Sequence, residues 1–157
     1  MAYDLFIANA EVYLDGALTK TNLGVKQGVV TYIGDGSGEE GSNYTFDAKE
    51  VLDLKGQWVL PGLIDSQVHF REPGLTHKED LHTGTKAAVL GGITAVLEMP
   101  NTKPSTSTKE AFEEKMTLAK NRCFVDYGFF IGATHENVSQ LKDLQNLPGC
   151  CGIKIFM

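Results

Sequence analysis

The first 60 residues are short apolar-rich runs broken by turn residues, and no stretch of them carries a helical period. Asp4 to Leu14 (DLFIANAEVYL) is rich in side chains that fit a pleated surface. Asp15-Gly16 follows as a hairpin signal, with a return strand from Ala17 to Lys20. Leu23 to Lys26 and Val29 to Ile33 flank Gln27-Gly28, which predicts another hairpin. Asp35 to Asn43 (DGSGEEGSN) reads as loop, and Val51 to Leu54 and Trp58 to Leu60 as two more short strands around Lys55-Gly56.

The pattern changes at Pro61-Gly62. Leu63 to Phe70 is a strand candidate, and Asp80 to Leu90 has helix composition and stops at Gly91-Gly92. Ile93 to Met99 is a nearly continuous apolar run, the mark of a strand covered on both faces. Thr108 to Lys120 predicts a helix with Glu110, Glu113 and Glu114 in its early turns, where the macrodipole favours acids. Phe124 to Ile131 is a third strand, Glu136 to Leu144 a third helix, and Gly152 to Met157 a fourth strand. Such alternation argues for α/β architecture with parallel strands and crossover helices. On length alone the expectation is an open four-stranded sheet, since a (β/α)8 barrel takes about 250 residues. The stop at Ile155-Phe156-Met157, inside an apolar run, favours a chain cut short.

Composition narrows the function classes. Of the 157 residues 42% are hydrophobic and 22% charged, the proportions of an ordinary globular domain. The net charge is −6, and the Lys and Arg residues are scattered singly, so a nucleic-acid partner is not expected. No apolar stretch has the length of a membrane span and the N-terminus has no signal-peptide pattern, which predicts no membrane partner and a cytoplasmic location. Cys123, Cys150 and Cys151 lack metal-site spacing and read as buried thiols in a reducing compartment. Glycine pairs form no phosphate loop, and there is no nucleophile elbow.

The informative segment is Gly62-Leu-Ile-Asp-Ser-Gln-Val-His-Phe-Arg-Glu-Pro-Gly74. Strand alternation puts Asp65, Gln67 and His69 on one face, so groups at i and i+2 can converge beyond the strand's C-terminal end. Each residue also has a plain structural reading. His69 alone is a weak signal, Asp65 more often orients a strand end through hydrogen bonds than binds metal, and Arg71 could pair with Glu72 or Glu79. Asn101 could serve a turn, and Lys154 could snorkel to water from a strand end. His77, His82 and His135 read as a loop residue, a solvent-facing helix residue and a capping residue.

Taken together, VHFREPG, Lys78-Glu-Asp80, Gly91-Gly-Ile-Thr94, Met99-Pro-Asn-Thr102 and Gly152-Ile-Lys-Ile-Phe-Met157 resemble successive landmarks of the dihydroorotase family, in order and at family spacing over residues 50–157. The resemblance implies the first half of a TIM-like (β/α)8 barrel over 61–157, preceded by a small β-sandwich segment over 1–60. It implies reversible hydrolysis of the cyclic amide of dihydroorotate to N-carbamoyl-aspartate, in pyrimidine biosynthesis, with two zinc ions. Carried over by position, His69 matches the second histidine of a metal-binding His-x-His pair, Lys154 a carboxylated lysine bridging the two zincs, and Arg71 and Asn101 the pair that holds the substrate carboxylate.

Two departures stand out. Gln67 occupies the position of the first histidine, and a carboxamide is a poor zinc ligand. The family's further ligands and its general-base aspartate come from later strands, so no catalytic residue is assigned within these residues, and the chain alone is expected to be inactive. The alternatives are an inactive homologue with a binding or scaffolding role, which Gln67 favours, and an allantoinase or dihydropyrimidinase. The oligomeric state is not readable, and a homodimer stays open.

Overall fold

Two-residue turns build the first sheet. In the computed structural model, which describes residues 3–34 and 47–157, Asp15 and Gly16 have φ of 49° and 89°, and Gln27 and Gly28 have 52° and 75°. Both central residues lie in the left-handed region, the geometry whose twist matches that of paired strands. Strand β1 (Tyr3–Leu14) therefore turns directly into β2 (Ala17–Lys26), and β2 into β3 (Val29–Gly34), with Leu14 opposite Ala17 and Lys26 opposite Val29. The sequence suggested a break within β2 near Thr21-Asn22. Both residues are instead buried in a continuous strand, where Asn22 Oδ1 accepts from the Asn9 amide at 2.8 Å across an irregular pairing in β1. Strands β4 (Ala48–Asp53) and β5 (Trp58–Val59) both pair parallel to β1, and Ala10, Val12 and Leu23 form the buried cluster of this unit, Met1–Pro61. The loop expected at 35–43 lies outside the described residues.

The second unit, Gly62–Met157, is α/β. Its order is β6 (Leu63–Val68), α1 (Leu81–Leu90), β7 (Ile93–Glu98), α2 (Lys109–Ala119), β8 (Asp126–Gly132), a 3-10 turn (Val138–Gln140), α3 (Leu141–Leu144) and β9 (Cys150–Lys154). The strands form one parallel sheet in the order β6-β7-β8-β9, so all four C-terminal ends share an edge. Asp80 caps α1 by accepting from the Thr83 amide at 2.8 Å, and Thr108 caps α2 by accepting from Ala111 at 3.2 Å. Between helices and sheet lies a core that includes Leu81, Val96, Phe112, Phe129, Ile131 and Leu144.

Several boundaries differ from the sequence reading, β4 starting at Ala48 and β8 at Asp126 among them, and three of the differences bear on the site. Strand β6 ends at Val68, two residues early, because its pairing with β7 is irregular between Asp65 and Val68. The Asp65 carboxylate accepts from the Gln67 amide at 3.0 Å there, so the period of two does not run through to His69. The third helix shrinks to one turn of α-helix after a 3-10 turn. Asn137, not His135, makes the ties: it accepts from the Thr134 amide at 2.8 Å and donates to the carbonyls of Ser107 and Gly132 at 2.7 and 2.8 Å. That side chain holds the backbone of residues 134–137 out of helix. Strand β9 stops at Lys154, and Ile155 to Met157 continue without strand pairing.

Candidate functional site

The parallel sheet delivers the sequence-predicted residues to one edge. His69 follows the end of β6, Asn101 lies just beyond β7, and Lys154 is the last residue of β9. His69 and Asn101 touch: Nδ1 of the ring lies 2.8 Å from Oδ1 of the carboxamide. A carboxamide oxygen only accepts, so Nδ1 donates, and in a neutral ring that leaves the lone pair on Nε2. The contact fixes ring orientation and tautomer together, which is the role an outer hydrogen bond plays for a ligating histidine. It also turns the Asn101 NH2, the donor end, away from the histidine.

Arg71 sits two residues further along in an unusual backbone state. Its φ is 70°, a conformation that costs a non-glycine residue about 1–2 kcal/mol. Hydrogen bonds on both sides hold it there. The Arg71 amide donates to Glu98 Oε1 at 3.1 Å, and its carbonyl accepts from the Leu75 amide at 3.0 Å. The surface pairings that the sequence left open for Arg71 go elsewhere. Glu72 is buried, accepts from the Leu81 amide at 2.9 Å and takes both Arg122 guanidinium nitrogens at 2.7 and 3.2 Å. Glu79 accepts from the Asp80 amide and the Thr83 hydroxyl.

A carboxylate and a lysine that the sequence reading passed over support this edge. Glu98, at the end of β7, and Lys115, on α2, are both fully buried and pair at 2.9 Å between Nζ and Oε2, with Nζ off the line of a good hydrogen bond. The same ammonium lies 3.4 Å from the Met99 carbonyl and 4.7 Å from the centre of the Phe129 ring. Burial pushes the Glu98 carboxyl up and the Lys115 ammonium down, and each is pulled back by the other's charge. A lysine sharing the helical face of Phe112 and Ala119 was the available signal. Partial burial also pushes the Cys151 thiol up to about 11; Cys123, Cys150 and Cys151 are all half-buried, not buried as the sequence suggests.

The donor set decides what metal these residues can hold. They offer one imidazole with a free Nε2, the Lys154 amine, whose Nζ stands 5.5 Å from the centre of the Phe156 ring, and the Gln67 carboxamide. Among the described residues no three His, Cys, Asp or Glu side chains converge. A catalytic zinc takes three protein ligands, so these side chains by themselves do not fit one. A polar cavity of about 410 Å³ in the first unit, lined in part by Asn9, Thr21 and Lys55, contains none of the predicted residues.

A family model described as Dihydro-orotase-like matches residues 56–148, which takes in β6 to α3 and the whole Arg71 loop. The chain belongs to the dihydro-orotase-like family. A dihydroorotase of Methanothermobacter thermautotrophicus is 42% identical over 99% of this chain and 33% of its own length. An allantoinase of Escherichia coli is 37% identical over 100% of the chain and 33% of its own length. Among solved structures, the L-hydantoinase (dihydropyrimidinase) from Arthrobacter aurescens superposes with a TM-score of 0.86 at 28% identity, covering 96% of this chain and 32% of that one. This dihydro-orotase-like chain thus spans about a third of the length of the relatives it matches. Among the described residues no helix is long and apolar enough to cross a membrane.

Proposed function

We propose that this chain forms part of a dihydroorotase, acting on the cyclic amide of dihydroorotate, with Arg71 and Asn101 as the groups that receive the substrate carboxylate. The observation that carries the reading is the His69–Asn101 contact at 2.8 Å, with Arg71 held two residues beyond it. On this reading the Asn101 NH2 and the Arg71 guanidinium serve as a neutral and a charged donor suited to a planar carboxylate. Residues 61–157 are then the first half of a (β/α)8 barrel, in which the C-terminal strand edge is where chemistry is placed.

His69 supplies an oriented acceptor nitrogen, and Lys154 an amine at the same edge. Zinc belongs to the proposal only for a protein that adds ligands to these two, and Gln67 lowers what this edge can give. No general base is assigned within the chain, so residues 1–157 alone are proposed to be inactive. Gln67 also supports a second reading, a non-catalytic homologue that binds or scaffolds. The 37% identity to an allantoinase supports a third, a ring substrate other than dihydroorotate.

One assay separates them. The product of the complete reading frame is tested for turnover of dihydroorotate, allantoin and hydantoin, alongside the isolated chain. Turnover of dihydroorotate by the complete protein and none by the isolated chain is expected. Activity on only the other two rings overturns the substrate, and turnover of none by a folded complete protein favours the scaffold.

A further inference from the structure

We propose that the buried Glu98–Lys115 pair is a positioning device for Arg71, setting where its guanidinium meets a substrate carboxylate; this rests on the reading of Arg71 given above. Three observations lead there. Arg71 holds a left-handed backbone that is uphill for a side-chain-bearing residue, and such strain persists only where the surroundings enforce it. The amide of that residue is held by Glu98 Oε1 at 3.1 Å, from a different strand. Glu98 in turn is fully buried, and its other oxygen faces Lys115 at 2.9 Å.

Energetics argue that the pair is more than packing. Replacing a buried ion pair with apolar side chains of similar volume is often neutral or stabilising, so a core under selection for stability alone has little use for one here. What an apolar pair cannot supply is an acceptor for the Arg71 amide. The downstream side of Arg71 is fixed by the Leu75 amide and by Glu72, which grips Leu81 and Arg122. Loss of the Glu98 acceptor would free one end of a loop whose other end stays tied, letting the guanidinium swing while the fold stands. Lys115 acts at one remove: its ammonium faces the second Glu98 oxygen and favours the charged carboxylate against the pull of burial.

The test uses the complete protein and two double variants. Glu98→Leu with Lys115→Met removes both charges and the acceptor, whereas Glu98→Gln with Lys115→Met removes the charges and keeps an acceptor oxygen. The Leu/Met variant is expected to raise KM for dihydroorotate about tenfold with kcat within about threefold, the loss of one hydrogen bond that orients a binding group. Competition by hydantoin, a ring without the carboxylate, is expected to stay within about threefold, and Gln/Met to restore KM to within about threefold of the parent. An unchanged KM in Leu/Met, equal losses for both rings, or failure of Gln/Met to rescue overturns the inference.

Arg71→Met separates the inference from the reading beneath it. If Arg71→Met raises KM and Leu/Met does not, only the positioning role falls. If Arg71→Met changes nothing, the reading of Arg71 falls and takes the role with it. Should both doubles fail to fold, or dihydroorotate not be turned over, hydrogen exchange at the Arg71 amide of the unaltered protein decides. Slow exchange is expected, and exchange at the rate of an open loop overturns the role.

Discussion

The two units take their order from different sources. In the first, β1 to β3 follow one another through turns of two residues, and the buried cluster is Ala10, Val12 and Leu23. In the second, every strand pairs with a neighbour that arrives after an intervening helical segment, and the core holds nine apolar residues beside a buried ion pair. Local turn chemistry can define a sheet of hairpins, but it cannot place a parallel strand end. There, long-range polar ties such as Glu98 to the Arg71 amide and Asn137 to the Ser107 carbonyl do the placing, the first of them at the candidate site itself. Precision at the site is thus bought with buried charge rather than with turn residues.

The sharpest way to break this comparison is to orphan the charge. Lys115→Met alone leaves Glu98 buried without a counter-ion, and breaking such a pair from one side costs about 3–5 kcal/mol. Urea titration should show a loss of that size, and hydrogen exchange should place it in β7, β8 and α2. Amides of β1 and β2 should keep their protection, since the Lys115 partners Glu98, Met99 and Phe129 all belong to the second unit. An equal loss of protection in both sheets would erase the distinction drawn above.

A smaller effect compares one residue type in the two settings. Gly28 has φ of 75° and Gly74 of 87°, so both disfavour a side chain by backbone alone. A Cβ on Gly28 would meet open space, whereas one on Gly74 would run into the Lys103 carbonyl. Gly28→Ala should cost about 1–2 kcal/mol, the strain by itself. Gly74→Ala should cost about 3 kcal/mol, because backbone has to move as well, and it should also loosen the loop that carries Arg71. Equal thermal shifts for the two would mean that the loop after Arg71 is as free as a hairpin tip.

What was readable in the sequence follows the same division. Both hairpins were legible because Asp15-Gly16 and Gln27-Gly28 supply residues that tolerate positive φ. The helix starts at Asp80 and Thr108 were legible because a capping side chain acts within three residues of itself. The third helix was overestimated because Asn137 answers to Ser107, a partner 30 residues away that only the folded sheet brings near. At the site, His69, Arg71, Asn101 and Lys154 were named from motifs, and the geometry adds the His69–Asn101 bond and the shared edge. Glu98 and Lys115 were missed as a pair: inside an apolar run and a helix respectively, neither announces a partner 17 residues away. The irregular pairing at Asp65 also cannot be seen in a pattern of alternation, so the face assigned to Gln67 and His69 by counting does not carry through.

The smallest effects lie at aspartates whose partners are backbone amides, and they separate the units by pH. Asp80→Ala should remove about 1 kcal/mol from the second unit, the usual worth of an N-cap. Asp80 is held below the ordinary aspartate value of 3.8, first by the Thr83 amide. Asp4 is lowered likewise by the Gln27 amide and then by Lys49, and Asp53 by Asn9 and the Lys55 amide. An acid with a lowered folded-state pKa stabilises the fold fully above its unfolded value and loses that contribution as pH falls through the folded one. Acidification from pH 5 to below 3.8 should therefore weaken the Gln27-Gly28 turn and the start of α1 together. Asp4 is half-buried and owes part of its shift to the exposed Lys49 ammonium, so that share should fade with added salt, whereas the Asp80 cap, a hydrogen bond to its own helix, should resist salt. Amide shifts of Gln27 and Thr83 followed through an acid titration at low and high salt would check this, and a salt response equal at the two amides would contradict it.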